Sequence, residues 1–187
     1  MHLLLAAALV TVRIYNYAGV PAQDLAAAEQ TANQIFAAAG IPVTWIDCST
    51  PLRPTGRTCT EPLAQSGEFV LRLASSSGRV EKGHVALGSS LIDKDAATGV
   101  LITLEPHLIW TAATQADADP AEVFGRAIAH EVGHLLLGMP RHAGSGLMRA
   151  IWSQEELRQN RRADWLFSAD EIAVMHRTLA RALRAER

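Results

Sequence analysis

The sequence predicts an α+β domain: a small, mixed, twisted sheet opened by a β-α-β unit, then a long central helix, then helices to the C-terminus. Three observations carry this. Apolar residues alternate over Val10–Tyr17, recur at helical spacing over Leu25–Ala39, and return to a β-branched and aromatic run over Val43–Asp47. Asp119-Pro120-Ala121-Glu122 reads as a capping box before a second long helical pattern, which Gly138 and Pro140 close. Ser153-Gln154-Glu155-Glu156 and Ser168-Ala169-Asp170-Glu171 repeat the helix-start signature downstream. At 187 residues, the chain is expected to form one domain over 1–187 with a substantial core.

Each element follows from its residues. Val10–Tyr17 is expected as a half-buried strand, ended by the turn Gly19-Val20-Pro21. Leu25, Ala28, Ala32, Ile35, Phe36 and Ala39 mark one packed face of a helix that Gly40 and Pro42 stop. Val43–Asp47 then returns as a second strand, parallel to the first through a right-handed crossover. Residues 48–67 lack periodicity and read as a loop, and Phe69–Leu73 as the third strand. Val85–Ser89 and Gly99–Leu104 are expected as two further strands flanking a loop with Asp93 and Asp95, and His107–Ala113 as a short helix. The last helix carries Ile172, Met175, Leu179 and Leu183 on one side and Arg177, Arg181, Arg184 and Arg187 on a solvated face.

Composition narrows the partners. A net charge of −2 gives little attraction for phosphates, so no nucleic-acid partner is expected. The apolar run Leu3–Val10 is too short to span a bilayer, so no stable membrane insertion is expected either. Residues 1–10 read as a signal remnant or as the run-in to the first strand. The only two cysteines, Cys48 and Cys59, sit in one loop at a spacing that permits a small disulfide, and with the apolar run this favours a secreted or periplasmic protein; a monomer is expected.

The chemistry concentrates in His130-Glu131-Val132-Gly133-His134. On a helix, residues four apart fall about one turn apart on one face, so both imidazoles can reach one ion. Glu131 lies on the neighbouring stripe, free to take a proton from a zinc-activated water. Val123, Ala127 and Leu137 share the histidine stripe, while Phe124, Ile128 and Leu135 share that of Glu131. Three polar groups in an apolar surface need a partner, and a Zn2+ ion supplies it. The bland alternative is two core histidines bonded to carbonyls, with Glu131 paired to an arginine such as Arg126. Past the helix the chain offers His142, then Ser145-Gly146-Leu147-Met148, a tight turn carrying a methionine.

The stretch His130–Met148, HEVGHLLLGMPRH followed by GLM, resembles the metzincin clan of zinc metallopeptidases, as a divergent bacterial-type member. The clan pattern is HExxHxxGxxH followed by a methionine-bearing turn; here Gly138 lies one residue and His142 two residues further along. The resemblance implies a metzincin-like zincin fold, His142 as the third metal ligand and Met148 as the apolar floor beneath the histidines. The displaced spacing leaves Glu155, Glu156 and Asp164 as competing ligands. The resemblance also implies an edge strand, one of Val85–Ser89 and Gly99–Leu104, that pairs with extended substrate. Clan members often place a tyrosine just past the turn, whereas this chain has none after Tyr17; Arg141, Arg149 and His176 remain as oxyanion candidates by charge, each more readily a surface residue.

The function expected is a zinc metallopeptidase acting on peptide or protein substrates, with His130, His134 and His142 on the metal and Glu131 as general base. Two rivals stand beside it: a zinc hydrolase on a non-peptide substrate such as RNA, and a catalytically inactive zincin-fold binding protein.

Overall fold

The computed structural model describes residues 10–49, 59–63, 67–75, 87–93 and 98–185. The run Leu3–Leu9, His84, Val85, Asp95 and Arg187 lie outside the described residues. The elements are β1 (Val10–Asn16), α1 (Ala22–Ala38), β2 (Val43–Asp47), β3 (Glu68–Leu73), β4 (Gly88–Asp93), β5 (Thr98–Leu104), α2 (Pro106–Ala116), α3 (Pro120–Leu137), α4 (Gln154–Gln159), a 3-10 turn at Arg162–Trp165, and α5 (Ala169–Ala185).

The strands form one five-stranded mixed sheet in the order β2-β1-β3-β5-β4. β1 pairs parallel with both β2 and β3, and β3 with β5, while β4 runs antiparallel to β5 on the outer edge. The β-α-β opening follows from side-chain direction: Val10, Val12 and Ile14 point to one face of β1 and are fully buried with Leu25, Ala28, Ala32, Ile35 and Phe36 of α1 in one core. β1 is not half-buried as its alternation predicts. Arg13, on the opposite face, is only 2% exposed, because β1 lies inside the sheet and a loop covers that face. Its guanidinium pairs with Glu68 at 2.7 Å and donates to the Glu61 carbonyl at 2.6 Å, and the Tyr15 hydroxyl donates to the Cys59 carbonyl. That covering segment is tied down by a disulfide between Cys48 and Cys59, whose Cα atoms lie 5.6 Å apart.

The strand expected over Val85–Ser89 is displaced: it occupies Gly88–Asp93, so Asp93 belongs to the strand and not to the following loop. The extra reach comes from pairing, since Leu91 opposes Leu101 and a bulge between Leu91 and Ile92 lets the ladder continue to Asp93↔Thr98. The short helix expected over His107–Ala113 extends to Pro106–Ala116, with proline in its first turn and Asp117 ending it in the left-handed conformation.

α3 is the central helix. Val123 to Leu137 are buried without a gap, so the helix has no solvated face of its own beyond its first turn. It crosses α1 closely at Gly125, where a Cβ would come within 2.4 Å of the Ala28 carbonyl oxygen. The Asp119 side chain accepts hydrogen bonds from the Ala121 and Glu122 amides, but the reciprocal half of the expected capping box is not made there. Glu122 instead accepts from Arg126 at 2.8 Å and from Asn160 at 2.6 Å, fastening α3 to the end of α4. Complete boxes form at the two downstream starts, Ser153–Glu156 and Ser168–Glu171.

Candidate metal centre

His130 and His134 project from the same face of α3, and His142 returns to them from the loop beyond it. α3 ends at Gly138 in the left-handed conformation, φ 64°, and Met139 and Pro140 redirect the chain. One helical residue more and a longer turn thus absorb the two-residue displacement of His142. The Nε2 atoms of His130 and His134 lie 3.1 Å apart, those of His134 and His142 3.3 Å apart, and all three residues offer ligand atoms within 4.8 Å of one another. Two nitrogens each about 2.0–2.1 Å from a tetrahedral zinc would stand roughly 3.3 Å apart, so the spacing fits one ion.

The protonation pattern fits as well. His130 Nδ1 lies 2.9 Å from the Leu147 carbonyl oxygen, and His134 Nδ1 lies 3.0 Å from that of Met139. A carbonyl only accepts, so both Nδ1 atoms carry the proton and both Nε2 atoms present lone pairs. Burial pushes His130 down to about 4 and lowers His134 also, which keeps the rings neutral. Lone pairs facing at 3.1 Å repel unless a cation lies between them. The carbonyl bonds of the bland alternative are therefore present, but they orient the rings and leave the inner nitrogens free to hold a metal.

Glu131 is 8% exposed and pairs with Ser90 on β4, not with Arg126, which is held by Glu122. The Ser90 hydroxyl bonds the Glu131 carboxylate and lies 3.0 Å from the Glu131 carbonyl oxygen. Burial pushes the carboxyl up to about 7, against the opposing pull of that hydroxyl. Ser90 escaped the sequence because the strand was expected to end one residue before it. Met148, 1% exposed, lies beneath α3: a Cβ on Gly133 would come 2.7 Å from its sulfur and 2.8 Å from the Phe167 ring. Gly133 is thus what lets the methionine floor and Phe167 press against the helix between the two histidines.

The competing carboxylates lie outside the histidine group, and two of the three are occupied elsewhere. Glu155 pairs with Arg158 and Gln159, Glu156 closes the Ser153 box, and Asp164 sits in the 3-10 turn, its carbonyl accepting from Arg149. None joins the histidine group. Among the oxyanion candidates, Arg141 is exposed and His176 is bound to the Ala39 carbonyl at the end of α1. Arg149 is not the surface residue its charge suggests. It is 9% exposed and lines a cavity of about 340 Å³ together with His130, Glu131, His142 and Trp152. Trp152 stands edge-on to His130 with ring centroids 5.7 Å apart. Trp152, four residues beyond Met148, is the part of this wall that the sequence reading missed. Among the described residues, no helix is long and apolar enough to cross a membrane.

No protein-family model and no curated protein matches the chain. Solved structures do. An archaemetzincin from Methanopyrus kandleri superposes with a TM-score of 0.55 at 15% identity, covering 95% of this chain and 99% of that one. A zinc-dependent peptidase from Methanocorpusculum labreanum gives 0.56 at 14% identity, over 88% of this chain and 99% of that one. Metalloproteinase-II from Bacteroides fragilis gives 0.56 at 14%, over 92% of this chain and 54% of the longer protein. In fold, this chain is metzincin-like, similar over most of its length to an archaemetzincin, a zinc-dependent peptidase and a metalloproteinase.

Proposed function

We propose that the protein is a zinc-dependent metallopeptidase. The observation that carries this reading is the convergence of three imidazole nitrogens beside a buried carboxylate, on a fold shared with zinc peptidases. His130, His134 and His142 would hold the ion. Zinc, when bound in such a site, supplies Lewis acidity that activates water near neutral pH and polarises a carbonyl. The chain's own part is to hold and move a proton. Glu131 accepts it at a carboxylate oxygen whose ordinary pKa burial has raised toward neutrality, and then delivers it to the leaving amine. Ser90 fixes the carboxylate, and Met148 with Phe167 fixes the helix beneath it. Edge strand β4 carries Ser90 and, among the described residues, no further strand of the sheet pairs with its outer side, so extended peptide can add there as a further strand.

The test is a pair of substitutions. Glu131→Gln is expected to keep stoichiometric metal while lowering peptide cleavage by about 10²-fold or more; His134→Ala is expected to lose both. Equal turnover by Glu131→Gln and the parent would remove the general base. Chelator-sensitive cleavage of RNA instead of peptide, or full metal occupancy without cleavage of a broad peptide library, would transfer the assignment to one of the two rival readings.

A secreted or periplasmic location is proposed with it, supported by the Cys48–Cys59 bond, which persists in oxidising compartments. Thiol titration of freshly isolated protein under denaturing conditions is expected to find no free cysteine.

A further inference from the structure

Every buried side-chain nitrogen or oxygen that lacks a hydrogen-bond partner among the described residues belongs to one cluster beside the metal centre, and every one is a donor. The atoms are Nε and Nη1 of Arg126, Nε and Nη2 of Arg149, and Nε1 of Trp152 and Trp165. Both guanidiniums stack on the Trp165 ring, at 4.2 Å for Arg126 and 4.6 Å for Arg149, and Trp165 packs edge-on against Trp152 with centroids 5.3 Å apart. Buried polar groups ordinarily find partners, and a guanidinium stripped of water without acceptors is expensive. Chance would scatter such atoms over acceptors and donors across the molecule. Here they are donors only, and in one place.

Among the described residues, the neighbouring acceptors do not reach inward. Glu122 is taken by Arg126 Nη2 and Asn160. Glu156 is committed to the Ser153 box and stands 3.4 Å from Arg149 Nε, without hydrogen-bonding geometry at that nitrogen. Arg149 Nη1 is spent on the Gly146 and Asp164 carbonyls, which fixes the guanidinium plane and leaves Nη2 over. Arg126 and Trp165 lie behind the wall, whereas Arg149 and Trp152 line the cavity that also holds His130, Glu131 and His142. Arg149 directly follows the floor methionine Met148, and its backbone bridges to Ala143, the residue after His142. The unmet cationic donor is therefore built into the same pair of segments as the third histidine.

The geometry points to a carboxylate-binding subsite, made by Arg149 and the Trp152 indole, that receives an acidic group of the substrate next to the bond being cleaved. This rests on the peptidase reading above, and it names the substrate class as peptides with a carboxylate in that position. A guanidinium nitrogen and an indole N–H that no described residue satisfies are separate donors of the kind an anion with two oxygens takes, and the stacked Trp165 ring steadies the guanidinium. The carboxylate comes either from a free C-terminus or from an acidic side chain. Both bring the same chemistry, and the cavity's 340 Å³ lies at the lower end of small-ligand sites, a size suited to a short segment.

The test measures binding, separately from turnover. Four matched N-acetylated tripeptides, ending in Glu or Gln and each made as free acid or carboxamide, are titrated calorimetrically into zinc-loaded Glu131→Gln protein. A carboxylate-bearing probe is expected to bind about 10-fold to 100-fold tighter than the Gln carboxamide. Preference for both free acids assigns the C-terminal carboxylate; preference for the Glu carboxamide assigns the side chain; either supports the subsite. Arg149→Met added to that protein should abolish the preference, Arg149→Lys should keep part of it, and Trp152→Phe should weaken it without removing it. Should Arg149→Met fail to fold, the lysine and phenylalanine variants decide. Equal binding of all four probes, no measurable binding of any, or a preference untouched by substitution at both positions overturns the proposal. Because binding is read apart from the parent's cleavage, a charge preference with an inactive parent would fault the peptidase reading alone, and cleavage without charge preference would fault the subsite alone.

Discussion

Two regions of this molecule bury arginine, and they do so in opposite ways. Inside the sheet, Arg13 is surrounded by acceptors from its own chain: the Glu68 carboxylate on the neighbouring strand and the carbonyls of the loop above. Beside the candidate metal centre, Arg126 and Arg149 keep donors that no described residue satisfies, and the histidines point lone pairs at one another. A buried polar group whose partners all come from the chain reports architecture. One that is held rigidly and left incomplete reports a ligand, because folding alone would not retain the unmet desolvation cost.

That contrast can be broken by experiment. The largest expected effect is on the sheet side: Arg13→Met leaves Glu68 buried without its cation and should lower unfolding free energy by about 3–5 kcal/mol in denaturant melts. The double variant with Glu68→Leu should recover most of that loss, since the pair is self-contained. Next comes the metal side. Adding zinc to chelator-stripped protein, at a free concentration about a hundredfold above its Kd, should stabilise the parent by roughly 2.7 kcal/mol and leave His134→Ala unmoved. A parent that gains nothing from zinc would place the histidines with Arg13, as architecture.

Smaller effects sharpen the boundary between the regions. Gly133→Ala drives a methyl into Met148 and the Phe167 ring and should destabilise by about 1–3 kcal/mol, with metal affinity falling as the helix shifts. The smallest concerns the box that starts α4. Ser153→Ala should cost about 1 kcal/mol near neutral pH. The amide and hydroxyl of Ser153 hold Glu156 below the usual carboxylate range, so the ionised box stabilises the fold above the unfolded carboxylate pKa. That contribution is lost as pH falls through the lowered value, and the parent and Ser153→Ala melts should converge in acid.

Legibility in the sequence followed the range of the interaction. The β-α-β opening, the helix from Pro120 and its stop at Gly138 were readable because capping, periodicity and a left-handed glycine act within a few residues. The extent of β4 was not, since Gly88–Asp93 is held as a strand by its ladder to β5 and a bulge. The same slip hid Ser90. The half-burial expected of β1 failed because alternation reports a strand's faces but not whether a distant loop covers one of them. Glu122 likewise satisfies the local pattern of a capping box and takes Arg126 and Asn160 instead.

The sequence by itself determined which groups share one helical face: a pentad four residues from end to end sets His130 and His134 one turn apart whatever surrounds it. It also supplied His142 and Met148 in the following turn. Only the tertiary structure decided that His142 comes back to within 3.3 Å of His134, that Ser90 from an edge strand bonds Glu131, and that Arg149 turns inward with Trp152 to line the cavity. The physical reason is that helix geometry is fixed by the backbone over one turn, whereas a loop's return, a strand's register and an arginine's burial depend on surfaces brought together from far along the chain.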